Sequence, residues 1–130
     1  MDANSIATRV IDSAVEIHKR IGPGLTDSVY ATSLAEVLSE SGFTVERQEA
    51  IPVQLRGRRF KQGPRAPLVV GGTVLVELKS LDSLSRIHKK QLLTYLKLSH
   101  LKHGLLINFG GEALTGNIER LVDDLDELAV

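Results

Sequence analysis

Two apolar runs, residues 68–70 and 74–76, flank the pair Gly71-Gly72, and this stretch constrains the fold more than any other part of the chain. Paired glycines supply the positive φ angles a tight connection needs, so the stretch predicts a β-hairpin with strands 68–70 and 74–79. Side chains alternate along a strand, which sends Val74, Val76 and Leu78 to one face and Leu75, Glu77 and Lys79 to the other. A carboxylate and an ammonium therefore project together from an otherwise apolar strand.

The flanking sequence predicts what packs on this hairpin. Ile6, Val10, Ala14, Ile17 and Ile21 recur at helical spacing over residues 5–21, until Gly22-Pro23-Gly24 stops the helix. A second helix starts at Thr26 as N-cap, carries Asp27 in its first turn and Tyr30, Leu34, Val37 and Leu38 beyond, and ends at Gly42. The period then changes to two through Phe43, Val45, Ile51, Val53 and Leu55, and Gly57 offers a turn before Arg58-Arg59-Phe60. Ser83 or Ser85 caps a third helix to His100, and residues 104–109 form a short buried strand. Residues 117–128 are predicted as a closing helix with Ile118, Leu121, Val122, Leu125 and Leu128 inward. The expected class is a mixed α/β fold, a small mixed β-sheet flanked by helices, with residues 1–130 as one domain.

Composition narrows the chemistry. The 130 residues include no Cys, which removes thiolate zinc sites and cysteine nucleophiles. No basic segment precedes an N-terminal apolar run, and no apolar stretch approaches the roughly 20 residues of a membrane helix, so a cytoplasmic protein without a membrane partner is expected. Sixteen Lys and Arg balance sixteen Asp and Glu, which argues against coating nucleic acid through bulk charge. Local patches remain: Arg56, Arg58, Arg59 and Lys61, then Arg86, Lys89 and Lys90, against acids at Glu119, Asp123, Asp124, Asp126 and Glu127. That asymmetry gives a neutral chain a phosphate-attracting side.

The third helix adds a polar stripe. At 100° per residue His88, Gln91, Tyr95 and Ser99 align between Leu84, Leu92, Leu96 and Leu98, while Lys90, Thr94 and Lys97 face solvent. Polar groups inside an apolar face must be hydrogen-bonded, because each unpaired one costs about 1–3 kcal/mol. Following a Glu-x-Lys strand, the stripe reads as the wall of a polar cleft. Plainer readings exist for each residue: Glu77 and Lys79 as a salt bridge, His88 in a structural network, Asp27 as an acid favoured by the helix dipole, His18 serving the carbonyls at the end of its helix.

Together these residues carry a resemblance. Residues 24–30 (Gly-Leu-Thr-Asp-Ser-Val-Tyr), Glu77-Leu78-Lys79 and residues 91–95 (Gln-Leu-Leu-Thr-Tyr) resemble the bacterial GxxExxY family of PD-(D/E)XK nuclease-like proteins. Residues 17–24, 76–80 and 104–109 support the match, which runs from Ile6 to Val122. It implies a restriction-endonuclease-like core in which a helix acid, a strand Asp and the Glu-x-Lys strand converge on a divalent metal. Mg²⁺ or Mn²⁺ would be held by Asp27, Glu77 and the Leu78 carbonyl. Catalysis would fall to Glu77 and Lys79 with Gln91 and Tyr95, which match the Gln-x-x-x-Tyr of RecB-like relatives. Tyr30, Arg65, His88 and His18 would contact substrate. The implied activity is hydrolysis of phosphodiester bonds in nucleic acid, DNA ahead of RNA, with a homodimer left open.

Two positions depart from the pattern. The family's helix Glu is Asp27 here, one methylene shorter. Its strand Asp falls at Pro67, which has no ligand atom and prefers a sheet edge or a bulge. A strict two-residue turn at Gly71-Gly72 places Pro67 opposite Val76, and a three-residue loop places it opposite Glu77. Losing one carboxylate weakens or abolishes metal binding unless Glu46 or Glu49 substitutes. The competing expectation is a catalytically degenerate nucleic-acid-binding or regulatory module on the same fold. With five aromatics in all, recognition through backbone and shape is expected over base stacking.

Overall fold

The computed structural model describes residues 1–47, 50, 51, 53–60 and 67–123. Helix α1 spans Ala3–Ile21 and α2 Asp27–Glu40. Strands β1 (Val45–Arg47), β2 (Val53–Leu55), β3 (Arg58–Phe60), β4 (Leu68–Val70) and β5 (Val74–Lys79) follow, then α3 (Arg86–Ser99), β6 (His103–Asn108) and β7 (Ile118–Val122). Five strands form one sheet in the order β1-β4-β5-β6-β7, while β2 and β3 pair only with each other. The parallel pair is β5 and β6, joined by α3 as crossover; the other neighbours are antiparallel. This is the mixed sheet flanked by helices that the sequence predicts.

Local chemistry explains the helix limits. Asp2 Oδ1 accepts from the Ser5 N–H at 2.8 Å and caps α1, whose last turn carries His18, Lys19 and Arg20 against the negative end of the helix dipole. Gly22, at φ 79°, then takes the chain out through a conformation other residues adopt at a cost. Ser85 is the N-cap of α3, and His100 closes it in the left-handed region at φ 60°.

The alternation of β5 organises two cores. Val74, Val76 and Leu78 join Ile6, Val10, Ala14, Tyr30, Leu34, Leu38 and Phe109 under α1 and α2. Leu75 joins Ile51, Leu92, Leu96 and Leu106 under α3. Gly104 is what lets α3 sit close, because a β-carbon there would press on Leu92 and Leu96 at 3.1–3.2 Å. Glu77 and Lys79 thus project on the α3 side of the sheet, as their spacing requires.

One expectation fails in the C-terminal third. Within the segment expected to be helical, Ile118–Val122 is β7, with Ile118 across from Ile107 and Leu121 across from Gly104. Its apolar spacing suits a helix, but β6 is buried along nearly its whole length and an unpaired edge there would strand its amides and carbonyls. Glu119 therefore lies on a strand, where it pairs with Lys89 at 3.2 Å and neutralises one cation of the second basic patch. Leu125, Leu128 and the acids from Asp124 onward lie outside the described residues. Among the described residues no helix is long and apolar enough to cross a membrane.

Candidate active site

The hairpin register resolves the position of Pro67. Val70 pairs with Val74 and Leu68 with Val76, so the connection is the three residues Gly71-Gly72-Thr73. Both glycines sit at positive φ, 61° and 69°. Continued by one residue, this register sets Pro67 across from Glu77, the second of the two arrangements the sequence left open. A residue with no ligand atom faces the carboxylate that most needs a companion.

Glu77 is 6% exposed in the interior of the sheet. Its Oε1 lies 3.7 Å from Lys79 Nζ, and its buried Oε2 has no hydrogen-bond partner among the described residues. Burial pushes its carboxyl up to about 7, against the pull of the Lys79 ammonium, and the nearby Asp27 charge pushes it further the same way. Tyr95 reports the same neighbourhood from α3: its phenol is raised by burial and then by the Glu77 charge.

Above this pair opens a cleft of about 570 Å³ lined by residues 24–27, Lys79, Ser80, Leu81, Asp82, His88 and Gly110. It lies beyond the carboxyl ends of the parallel strands β5 and β6, where open α/β sheets place their ligands. Each wall is tied down. Ser80 Oγ donates to the Leu25 carbonyl at 2.6 Å, holding the end of β5 to the loop that starts α2 and presents Asp27. The Asn108 amide, fully buried, accepts from the Leu81 and Gly110 N–H groups and donates to the Leu81 carbonyl and to Asn117 Oδ1. Gly110 is obligatory, because any β-carbon there would overlap the Leu81 backbone. His88 Nδ1 accepts from the Ser85 N–H at 3.0 Å, which leaves Nε2–H as the donor of the neutral ring.

The structure brings together Asp27, Lys79 and His88 in the cleft, with Glu77 beneath them and Tyr95 beside Glu77. Gln91, half-buried, stands between His88 and Tyr95 on the same face of α3. Leu78 is fully buried next to Glu77.

Tyr30 and His18 belong elsewhere. Tyr30 is fully buried, stacks on Phe109 at 4.2 Å, donates its hydroxyl to the Gly22 carbonyl and accepts from the Leu25 N–H at 3.3 Å. It braces the Gly-Pro-Gly loop from inside and offers no surface to a substrate. His18 is 5% exposed and its Nε2 bonds the Gly111 carbonyl at 2.9 Å, so it fastens α1 to the loop after β6. Arg65 and Glu49 lie outside the described residues. Glu46 is described, exposed on β1 two strands from β5, about 10 Å away at the usual strand spacing, and does not replace the missing acid.

Asn108, Ser80, Gly110 and Asp82 escaped the sequence reading. A polar Asn closing an otherwise apolar strand just before Phe109-Gly110-Gly111 was the available signal. Asp82 lines the cleft, yet among the described residues no three of His, Asp and Glu stand close enough to hold a metal ion jointly. The donor chemistry that remains is Glu77 with an orphaned carboxylate oxygen and Asp27 near enough to repel it. Hard oxygen donors whose mutual repulsion a divalent cation would relieve fit Mg²⁺ or Mn²⁺.

Comparisons with known proteins bear on the family and the fold. No curated protein matches. A solved structure titled "Crystal structure of SSO0001" is 22% identical, with a TM-score of 0.54 over 96% of this chain and 62% of that one. At that identity the likeness concerns the fold alone, and this chain spans less than two thirds of that structure's length. A family model described as the PD-(D/E)XK nuclease superfamily matches residues 4–121, from the start of α1 into β7 and across every wall of the cleft. The chain is therefore a member of the PD-(D/E)XK nuclease superfamily.

Proposed function

We propose that this cleft hydrolyses phosphodiester bonds of nucleic acid, DNA ahead of RNA, as a GxxExxY-type nuclease using Mg²⁺ or Mn²⁺. The observation that carries the reading is the buried Glu77 carboxylate, one oxygen unpartnered and the other 3.7 Å from the Lys79 ammonium, next to Asp27. A structural salt bridge does not require a second carboxylate nearby, nor an unpaired oxygen that costs about 1–3 kcal/mol. Asp27, Glu77 and the Leu78 carbonyl would hold the cation, which when bound polarises the scissile phosphate and lowers the pKa of water.

The remaining roles fall to this chain's own side chains. Lys79, partly exposed at the floor, orients the attacking water and offsets negative charge that develops on the phosphoryl oxygens. Gln91 and Tyr95 position Lys79 and the phosphate from α3. His88 donates its Nε2–H to a phosphate oxygen while Ser85 fixes the ring. Release of labelled ends from DNA and RNA in Mn²⁺, compared between the native chain and Lys79→Ala, tests the reading. Cleavage that disappears with Lys79→Ala is expected; equal rates from both chains contradict it.

A second reading has a specific observation in its favour. Pro67 stands where the family pattern that this chain resembles has its strand Asp, and no described residue completes a three-ligand group in its place, which favours a degenerate nucleic-acid-binding module. Absence of cleavage together with retained binding selects that reading.

A further inference from the structure

The hairpin formed by β2 and β3 has no role in the site described above. Among the described residues its strands bond only to each other, and residues 55–60 are all exposed. An isolated two-stranded hairpin is marginal in water, so a sequence that keeps one outside its sheet has a use for it. Its turn makes the point more sharply. Arg56 and Gly57 lie at φ 52° and 76°, the two left-handed residues of a type I′ turn, whose first position ordinarily takes Asn, Asp or Gly. Arginine there costs about 1–2 kcal/mol and gains no ion pair among the described residues. A long cation is held at the tip against local preference.

The register then distributes charge around the hairpin. Leu55 pairs with Arg58 and Val53 with Phe60 on one face, and Arg59 lies across from Gln54 on the other. One arginine thus occupies each face and one the tip, with no acid between Val53 and Phe60 and no ion pair to any of the three among the described residues. Cations on both faces do not suit a flat anionic surface, which would meet only one of them. They suit a slot with phosphates along both walls. The major groove of B-form DNA is about 12 Å wide and admits a two-stranded ribbon, whereas the corresponding groove of A-form RNA is too narrow for side chains to enter. The hairpin is also rooted on the useful side: Ile51, two residues before β2, is buried in the cluster under α3 with Leu75, on the sheet face from which Glu77 projects.

We infer that the β2–β3 hairpin is an arm that enters a groove of double-stranded B-form DNA, with Arg56 leading and Arg58 and Arg59 contacting phosphates on opposite walls. This rests on the nucleic-acid reading of the cleft and specifies its substrate as duplex DNA. The test is fluorescence anisotropy with a labelled DNA duplex and an RNA duplex in EDTA, for the native chain, Arg56→Asn and the pair Arg58→Gln, Arg59→Gln. Asn suits the left-handed turn position, so Arg56→Asn keeps the hairpin while removing the charge, and its thermal midpoint should equal or exceed that of the native chain.

The expected result is at least about tenfold weaker binding of duplex DNA for each variant, with the salt dependence reduced by about one unit of slope per arginine removed. Binding of duplex RNA should change less. Unchanged affinity and slope, no binding of duplex DNA by the native chain, or equal losses on DNA and RNA overturn the inference. So does a change in sedimentation that shows the hairpin mediating self-association. Because binding is read without metal, failure of Mn²⁺-dependent cleavage would count against the nuclease reading and leave this result standing.

Discussion

Glu77 and Lys79 project from the same face of β5 with Oε1 and Nζ 3.7 Å apart, yet the ammonium does not offset the burial of the carboxylate. Desolvation dominates, the carboxyl rises from 4.5 to about 7, and the folded protein holds this proton more tightly than the unfolded chain does. Stability from this group is therefore complete below about pH 4.5 and is lost as pH rises through about 7, a difference of about 3 kcal/mol. Urea denaturation should show Glu77→Gln more stable than the native chain at about pH 8 and nearly equal to it at about pH 4.5. An advantage for Gln that is the same at both values contradicts the account.

Gly110 tests the cleft wall. A methyl group there would overlap the Leu81 carbonyl and amide, and the Leu81 backbone yields only against the two bonds Asn108 makes to its N–H and carbonyl. Gly110→Ala should cost about 1–3 kcal/mol and move the 80–82 turn. Thermal unfolding with a chemical-shift map should place the largest shifts at Ser80, Leu81, Asp82 and Asn108. A variant with native stability and an unmoved turn would show that the contact is soft.

Tyr30→Phe separates the phenol's two contributions. The ring stays stacked on Phe109, while the hydroxyl bonds to Gly22 and Leu25 are lost, at about 1–2 kcal/mol in denaturant. Amide exchange should quicken over residues 22–27 and leave α2 beyond Leu34 protected. Were substrate contact its role instead, stability and exchange would stay native.

Much of this architecture was legible because period and punctuation agree. Gly22-Pro23-Gly24 separates two helical patterns, and side chains alternate along Val74–Lys79, so the shared face of Glu77 and Lys79 follows from spacing, while the packing of α3 on that face is read from the structure. The polar stripe on α3 was legible for the same reason. Residues 117–122 were not, since Ile118, Leu121 and Val122 recur at helical spacing and the deciding factor, the unpaired edge of β6, is a tertiary demand. Tyr30 and His18 sat in matching motifs, but a motif does not say whether a polar group turns outward to a ligand or inward to a carbonyl. Asn108 and Gly110 work through close approach of two loops, which leaves little trace in a pattern of apolar residues.

In the proposed function Glu77 and Asp27 form a divalent-cation site that lacks the ligand replaced by Pro67. Its most direct test is a Mn²⁺ titration of the native chain, Glu77→Gln and Pro67→Asp, followed by the paramagnetic signal of free ion. The account predicts weak binding of Mn²⁺ by the native chain, loss with Glu77→Gln, and a gain of about tenfold or more with Pro67→Asp, which restores a carboxylate across from Glu77. Equal Mn²⁺ affinity in all three chains would contradict it.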